Sequence, residues 1–371
     1  MPTKLLFLTL KTFSFTGGIE KMARIFTRAL YDMSSEVIDV KVYSLYDSNA
    51  DRDSRYITKK QFRGFIEQRT KFVFNSVVRG FVSDIVIVSH INLLFIAFLI
   101  KKLSPKTRII LYAHGIEVWR PISLRKKNFL IKNCEVWAVS EFTAQKLQTT
   151  HQVPKDHIIV LPNCLDPFLE IPDHFGKPDQ LLKRHQLRAN QPVLFTLNRL
   201  SSHELYKGYD MVIESLPNLL NEYPDIIYLL AGKADSKELV RLERLIESLG
   251  VSKHISFIGF IPDEELSDYF RLADVFIMPS RKEGFGIVFI EAAACGCKVI
   301  GGDQDGSSQA LLNGKLGTLI NPEKKEALQS AIIHQLKQPR SERSSKFIQE
   351  LCLQNFNYNQ YSAKIQKLLT A

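Results

Sequence analysis

The sequence predicts an α/β fold of two domains, each a parallel sheet with crossover helices. Three observations carry this reading. The chain has 371 residues, more than one ordinary hydrophobic core holds. Apolar, β-branched runs alternate with helix-period segments through both halves, the pattern of strands joined by helices. A stretch rich in Pro, Asp and Asn, NCLDPFLEIPDHFGKPDQLLKRHQLRANQP, separates the halves with little periodicity and places a linker near 165–190.

Taken in order, the first half offers strands at KLLFLTL, IDVKVYSL, DIVIVS, RIILYAH, EVWAVS and HIIVLP. The second offers PVLFTLNRL, IIYLLAG, ISFIGF, DVFIMPS, KVIGG and GTLI. The expected domains span 1–168 and 188–350, followed by an amphipathic helix over 355–371 that packs back on the first domain. The most membrane-like stretch, 84–102, is interrupted by Ser89, His90 and Asn92. A spanning helix needs about 20 apolar residues, so strand, loop and buried helix is the expectation. No cleavage-site pattern follows the first apolar run, and a cytoplasmic protein is expected.

Composition fits a globular chain, with 45% apolar and 24% charged residues. The five cysteines are scattered and odd in number, which argues against a disulfide framework. Cys295-Gly-Cys297 has no second ligand cluster beside it and reads as small buried residues at a helix end. Charge is uneven. Residues 1–188 hold 29 Lys and Arg against 17 Asp and Glu, and residues 189–371 hold 20 against 22. The basic excess is interleaved with aromatics: Lys59, Lys60, Phe62, Arg63, Phe65, Arg69, Lys71, Phe72, Phe74, Arg79 and Phe81, then Trp119, Arg120, Arg125, Lys126, Lys127 and Phe129. Cations with apolar neighbours suit an anionic membrane surface. No nucleic-acid motif accompanies them.

Ligands of open parallel sheets sit outside the carboxyl ends of the strands. Two such domains facing each other would make an interdomain cleft, so residues just after strands become candidates. Gly17 and Gly18 follow the first strand and open a helix, where a backbone can approach an anion closely. His114 ends RIILYAH. Arg199 and Lys207-Gly208 follow the first strand of the second half and suit a diphosphate. Glu283 and Glu291 bracket a Gly-Phe-Gly turn in PSRKEGFGIVFIEAAACG. On a continuous helix they would lie about 12 Å apart, too far for a hydrolase pair at roughly 5–9.5 Å. Carboxylates accept hydrogen bonds from hydroxyls. Glu283 is therefore read as holding a sugar and Glu291 a ribose, with a diphosphate at the helix end led by Gly284 and Gly286.

These residues bring a resemblance into view. The chain is similar, over nearly its whole length, to the retaining, metal-independent nucleotide-sugar glycosyltransferases of family 4, whose GT-B fold pairs two Rossmann-like domains. The resemblance rests on Gly17-Gly18-x-Glu20, His114-Gly115, VSEFTAQKL, LPNCLD, Arg199 with Lys207-Gly208, LAGKAD and FIGFIP, and above all on PSRKEGFGIVFIEAAACG. It implies catalytic roles for His114, Arg199, Lys207 and Glu283, with His114 contacting the donor sugar. It also implies donor binding by Gly17, Gly18, Gly284, Phe285, Gly286, Ile287, Val288 and Glu291, and backbone contacts to the base around Gly259, Phe260 and Ile261. One loop departs from the family's pattern: Gln309 stands where a glutamate is common. Asp303-Gln304-Asp305 imitates a metal-binding D-x-D motif, but a helix is expected to follow it, so an Asp or Ser cap is the reading.

The resulting expectation is a retaining hexosyltransferase with no metal and no cofactor beyond its nucleotide-sugar co-substrate, GDP-mannose or a UDP-hexose. The first domain would take a lipid-linked or growing glycan acceptor, at the inner face of the cell membrane. A phosphorylase or epimerase on the same fold is the enzymatic rival. A sugar-nucleotide-binding scaffold or inactive transferase subunit is the alternative outside the enzymes.

Overall fold

The computed structural model describes residues 2–15, 17–34, 38–338 and 340–370. Thr16 of the glycine loop and Ala371, the last residue of the expected C-terminal helix, lie outside them. The chain divides into two compact units, Met1–Asp166 with Tyr358–Ala371, and Pro167–Asn357.

The first unit is built on β1 (Thr3–Thr9), β2 (Ile38–Ser44), β3 (Phe62–Gly64), β4 (Ile85–Val88), β5 (Arg108–Ala113), β6 (Cys134–Ala138) and β7 (Ile158–Val160). They pair in parallel in the order β3-β2-β1-β4-β5-β6-β7. Such a sheet is covered on both faces, so its central strands are continuously apolar. All four residues of β4, Ile-Val-Ile-Val, are buried. The edge strand β3 has no counterpart in the sequence reading, because three residues, Phe-Arg-Gly, carry no period.

In the second unit, β8 (Val193–Leu197), β9 (Ile227–Ala231), β10 (Ile255–Gly259), β11 (Val275–Met278), β12 (Lys298–Gly302) and β13 (Thr318–Ile320) run parallel in the order β10-β9-β8-β11-β12-β13. Both sheets are wound in the Rossmann manner. Chain progression reverses between β1 and β4 and again between β8 and β11, and the loops leaving those strands diverge to make a ligand crevice.

Three stretches differ from expectation. The linker region contains a helix, Asp179–Arg184, tied to the second unit by Arg184–Glu265 (2.6 Å) and its neighbour Lys177–Asp274 (2.7 Å); six residues are too few to show a period. The helix Leu94–Leu103 is buried on one face only. Its Ile96, Ala97 and Ile100 turn inward, while Phe95 and Leu103 are each 56% exposed. Among the described residues no helix is long and apolar enough to cross a membrane. Finally, most aromatics of the basic stretches are core. Phe62, Phe65, Phe72 and Phe129 are buried, and only Phe74 and Phe81 point outward from the helix Arg69–Phe81. Arg79 in that helix is committed to Asp39 (2.5 Å) and Arg69 to Glu67 (3.1 Å).

The terminal helix Tyr358–Thr370 belongs to the first unit. Its Tyr361, Ile365 and Leu369 form the buried i, i+4, i+8 stripe. Tyr361 meets Tyr112 hydroxyl to hydroxyl (2.9 Å), and Arg108 donates to the Leu368 carbonyl (2.9 Å). The five cysteines are free and buried.

At the end of β9, Gly232 (φ +129°) donates to the Gly259 carbonyl (2.7 Å), and a Cβ there would land on the carbonyl oxygen of Asn198. Gly232→Ala should therefore lower stability by about 3 kcal/mol. At Gly250 (φ +68°), where a Cβ meets nothing, alanine should cost only the left-handed backbone, about 1 kcal/mol. Urea unfolding of the two variants measures the contrast, and equal losses would contradict the steric reading.

Candidate active site

The loops after β8 and β11 flank the reversal of strand order in the second unit. A single turn, Leu205–Lys207, ends at Gly208 (φ +80°), where a Cβ would strike the Pro279 carbonyl. The Arg281 amide donates to the Tyr206 carbonyl (2.9 Å), stitching the two loops together. This approach brings the Lys207 ammonium onto the Glu283 carboxylate as a hydrogen-bonded ion pair, with side chains only 17% and 12% exposed. Burial opposes the lysine's charge, but the field and hydrogen bond of Glu283 outweigh it, and the pKa lies above the ordinary lysine value. Lys207 is a fixed cation at neutral pH.

A third loop, after β12, locks this pair from behind. Asp305 accepts from the Glu283 amide (2.6 Å) with one oxygen and from the Ser307 amide (2.9 Å) with the other, and the Gly306 amide donates to the Glu283 carbonyl (2.9 Å). Asp305 is buried, and burial together with the field of Glu283 pushes its pKa up to about 7. The cap expected here takes a different form. The helix Ser307–Ala310 begins at Gly306 without a side-chain cap, and Asp305 clasps two loops instead.

Arg199 is exposed and pairs with Glu204, a partner the sequence reading did not single out. Arg199, Glu204, Lys207 and Glu283 nonetheless share a neighbourhood, since Tyr206 lies in the field of all four. The Lys207 ammonium sits 5.6 Å from that ring's centre. The helix Ile287–Ala294 starts at Gly286 with no side-chain cap and no acid in its first turn, which suits an anion. Phe285 turns away into the interior against Phe356 (5.8 Å), and Ile287 is buried, so both can meet a ligand only through their backbones. Val288 is half-buried, and Glu291, in the helix's second turn, is 2% exposed. At the end of β10 the Gly259 carbonyl is taken by Gly232, Ile261 is buried, and the Phe260 ring stands 58% exposed.

The remaining candidates lie in the first unit. Gly17 precedes the helix Gly18–Asp32, and the loop before it hangs on buried Asp47, which accepts from the Thr12 (2.7 Å) and Ser14 (2.9 Å) amides. His114 directly follows β5, with its backbone amide on Glu117 (2.5 Å). Its ring is buried against Tyr112 (4.3 Å), and Nε2 has no partner. Burial, then the field of His90, depresses its pKa to about 3, so the imidazole is neutral. Asp47 and His90 escaped the sequence reading as site-building residues, and Asp305 entered it only as a metal-motif mimic read as a helix cap. The visible signal for Asp47 was an acid directly after a strand, in YSLYDSN.

Comparison with known proteins adds to this geometry. The sequence model of glycosyltransferase family 4 matches residues 16–167, and that of the glycosyl transferases group 1 matches residues 179–351. Over 275 residues the chain is 30% identical to the GDP-mannose-dependent alpha-(1-6)-phosphatidylinositol monomannoside mannosyltransferase of Mycolicibacterium smegmatis, covering 71% of this chain and 70% of that one. This chain is a family 4 glycosyltransferase. The protein of the same name from Mycobacterium tuberculosis (strain CDC 1551 / Oshkosh) is 29% identical over 231 residues, 59% of this chain and 58% of that one. Anabaena HepE, solved in complex with UDP, superposes with a TM-score of 0.81 at 19% identity over 99% of this chain and 100% of that one. At that identity the likeness speaks for the GT-B fold alone.

Within this family 4 site, Asp305 makes stability depend on pH. Its folded pKa of about 7 lies above the unfolded value of 3.8. Its contribution is therefore full below about pH 4 and is lost as pH rises through 7. The stability difference between wild type and Asp305→Asn should shift against the wild type from pH 4 to pH 8. Urea titrations across that range measure it, and a pH-independent difference would refute the assignment.

Proposed function

We propose that the protein is a retaining hexosyltransferase, carrying a sugar from a nucleoside-diphosphate sugar to a lipid-linked or growing glycan acceptor in polysaccharide or glycolipid biosynthesis. GDP-mannose and UDP-hexoses are the candidate donors. The observation that carries this reading is the buried Lys207–Glu283 pair beside the uncapped helix at Gly286, in a family 4 chain. The mycobacterial relatives' names specify GDP-mannose and a phosphatidylinositol mannoside acceptor, which supports both the donor class and a lipid-linked acceptor.

In the proposed reaction the bond from the anomeric carbon to the diphosphate oxygen breaks, and charge develops on the leaving diphosphate. Lys207, Arg199 and the helix end at Gly286 stabilise that charge, and fixed donors of this kind are worth most in a water-poor site. Glu283 holds Lys207 charged and accepts from hydroxyls of the sugar, while Glu291 holds the ribose. The acceptor oxygen bonds to the same face of the anomeric carbon and passes its proton to the leaving phosphate. His114, neutral and with Nε2 unpartnered, contacts the donor sugar. No step calls for a metal.

Lys207→Ala should lower turnover by about 10²–10³ in EDTA-containing buffer. It should also destabilise the fold, because Glu283 is left buried without its cation. Adding Glu283→Gln should recover stability but not activity. Arg199→Ala, at an exposed site, should cost turnover with little change in Tm. Product formation from labelled GDP-mannose and UDP-hexoses is the assay. Nucleotide binding without transfer in the wild type would favour a scaffold, and activity abolished by EDTA and restored by Mn²⁺ would overturn metal independence.

The acceptor side of the proposal rests on the first unit. It holds 27 Lys and Arg against 14 Asp and Glu, and the second unit holds 22 against 25. The helices Arg69–Phe81 and Leu94–Leu103 pack on each other and leave Phe74, Val78, Phe81, Phe95 and Leu103 outward, with Lys71, Lys101 and Lys102 nearby in the same helices. Apolar side chains among cations fit the interface of an anionic bilayer. Co-sedimentation should increase with the phosphatidylglycerol content of vesicles, fall with salt, and drop in Phe74→Asp and Phe95→Asp. Protein that stays in the supernatant throughout would point to a soluble acceptor.

A further inference from the structure

The loop after β8 carries both cations proposed for the diphosphate, and each has a carboxylate partner within the second unit: Lys207 has Glu283, and Arg199 has Glu204. The two pairs are held differently. Glu283 comes from the loop after β11 and is locked by Asp305, whereas Glu204 lies in the same loop as Arg199, five residues further on. The Arg199 side chain is 56% exposed, against 17% for Lys207. We propose that Glu204 is an internal competitor of the diphosphate: it occupies the Arg199 guanidinium until a ligand with enough further contacts takes its place. It thereby filters out single small phosphates. The proposal rests on the transferase reading for placing a diphosphate at Arg199.

The backbone under Glu204 is tightly held. Its amide donates to the Ser201 carbonyl (2.8 Å), and its own carbonyl accepts the Lys207 amide (3.0 Å). The stem of the loop is tied to the loop after β9, since the Leu200 amide donates to the Lys233 carbonyl (3.1 Å) and the Asp235 amide to the Leu200 carbonyl (2.9 Å). The Ser202 amide adds a bond to the Asp235 carboxylate (3.2 Å), and the Tyr209 hydroxyl one to the Ser201 carbonyl (3.3 Å). The Glu204 side chain is only 16% exposed. The carboxylate is thus the fixed half of its pair, and the long, largely exposed arginine is the half that can turn to another acceptor.

Energetics allow the exchange. An ion pair this exposed stabilises a fold by little, so releasing Arg199 costs the fold little. A phosphate presents the guanidinium with the same two-pronged acceptor as a carboxylate. Formally the charges of Arg199, Glu204, Lys207 and Glu283 cancel, so an arriving anion meets no net attraction from these four while both pairs stand. Drawing Arg199 away leaves a largely buried carboxylate without its cation, and every ligand that uses Arg199 bears that cost. A nucleoside diphosphate recovers it through Lys207, the helix end at Gly286 and the nucleoside contacts. A lone phosphate has too few contacts to do so.

Calorimetry on the full chain tests this with GDP, UDP and inorganic phosphate at constant ionic strength. Glu204→Gln keeps the side chain's shape and removes its charge. It should tighten binding of the preferred nucleoside diphosphate by at least about fivefold and make inorganic phosphate binding measurable, with little change in Tm. In the Arg199→Ala background the same substitution should bring no gain. Weaker nucleotide binding in Glu204→Gln would show instead that Glu204 orients Arg199 for the ligand, and would overturn the proposal. A gain that persists without Arg199 would mean simple repulsion at a distance, and would overturn it too, as would affinities that do not change. Sugar transfer assayed on the same variants separates the two readings. An Arg199-dependent gain in a protein that transfers no sugar from any nucleotide donor would sink the transferase reading and leave the competition standing. Full transfer without such a gain would do the reverse.

Discussion

The loops at the carboxyl edge of the second sheet lie closer together than side chains allow. Gly208 abuts the Pro279 carbonyl, Gly232 the Asn198 carbonyl and Gly306 the Gly284 carbonyl, and a Cβ at any of the three would meet backbone. Backbone cannot swing aside as a side chain can, so these contacts fix four loops, those after β8, β9, β11 and β12, in one arrangement. The consequence is electrostatic. Lys207 and Glu283 meet on the two stitched loops as an ion pair largely withdrawn from solvent. Buried pairs of this kind seldom add net stability over an apolar replacement. What the arrangement provides is a cation of fixed position and fixed charge.

Asp305 extends that logic by one layer. Two amide donors favour its ionised form, whereas burial and the neighbouring Glu283 oppose it, and the opposing effects win by enough to bring it near 7. Around neutrality the cluster of Lys207, Glu283 and Asp305 therefore has a net charge between zero and minus one. An anionic group arriving at Lys207 would raise the cost of ionising Asp305 further, and by linkage protonation of Asp305 would favour that arrival. A carboxyl group that clasps two loops would thus also bear on how readily the proposed donor site accepts negative charge.

The sheet architecture was legible because each buried parallel strand writes a continuous apolar run, as IVIV in β4 and VFIM in β11 do. Short pieces were not: β3 and the helix Asp179–Arg184 owe their form to partners elsewhere in their units. The same division runs through the site. Lys207, Glu283 and Gly286 stand out locally, since cations and acids next to glycines after strands have few structural excuses. Their pairing across 76 residues is a tertiary fact, and so are the Asp47 and Asp305 clasps, which any surface aspartate would resemble in sequence. Residue class also misled. Phe62, Phe65 and Phe72 lie among cations in sequence, yet strand and helix periodicity send them inward and the cations outward. His90 was visible only as an interruption of an apolar run, although that interruption is what ends β4.

The two units carry their charge in different ways. The second unit is slightly acidic overall, and its Lys207 is paired with Glu283 where little water reaches. The first unit carries a large basic excess spread over exposed side chains, which ions screen over about 8 Å at physiological strength. A diffuse field of that kind attracts extended anionic surfaces and is weak against a single small anion.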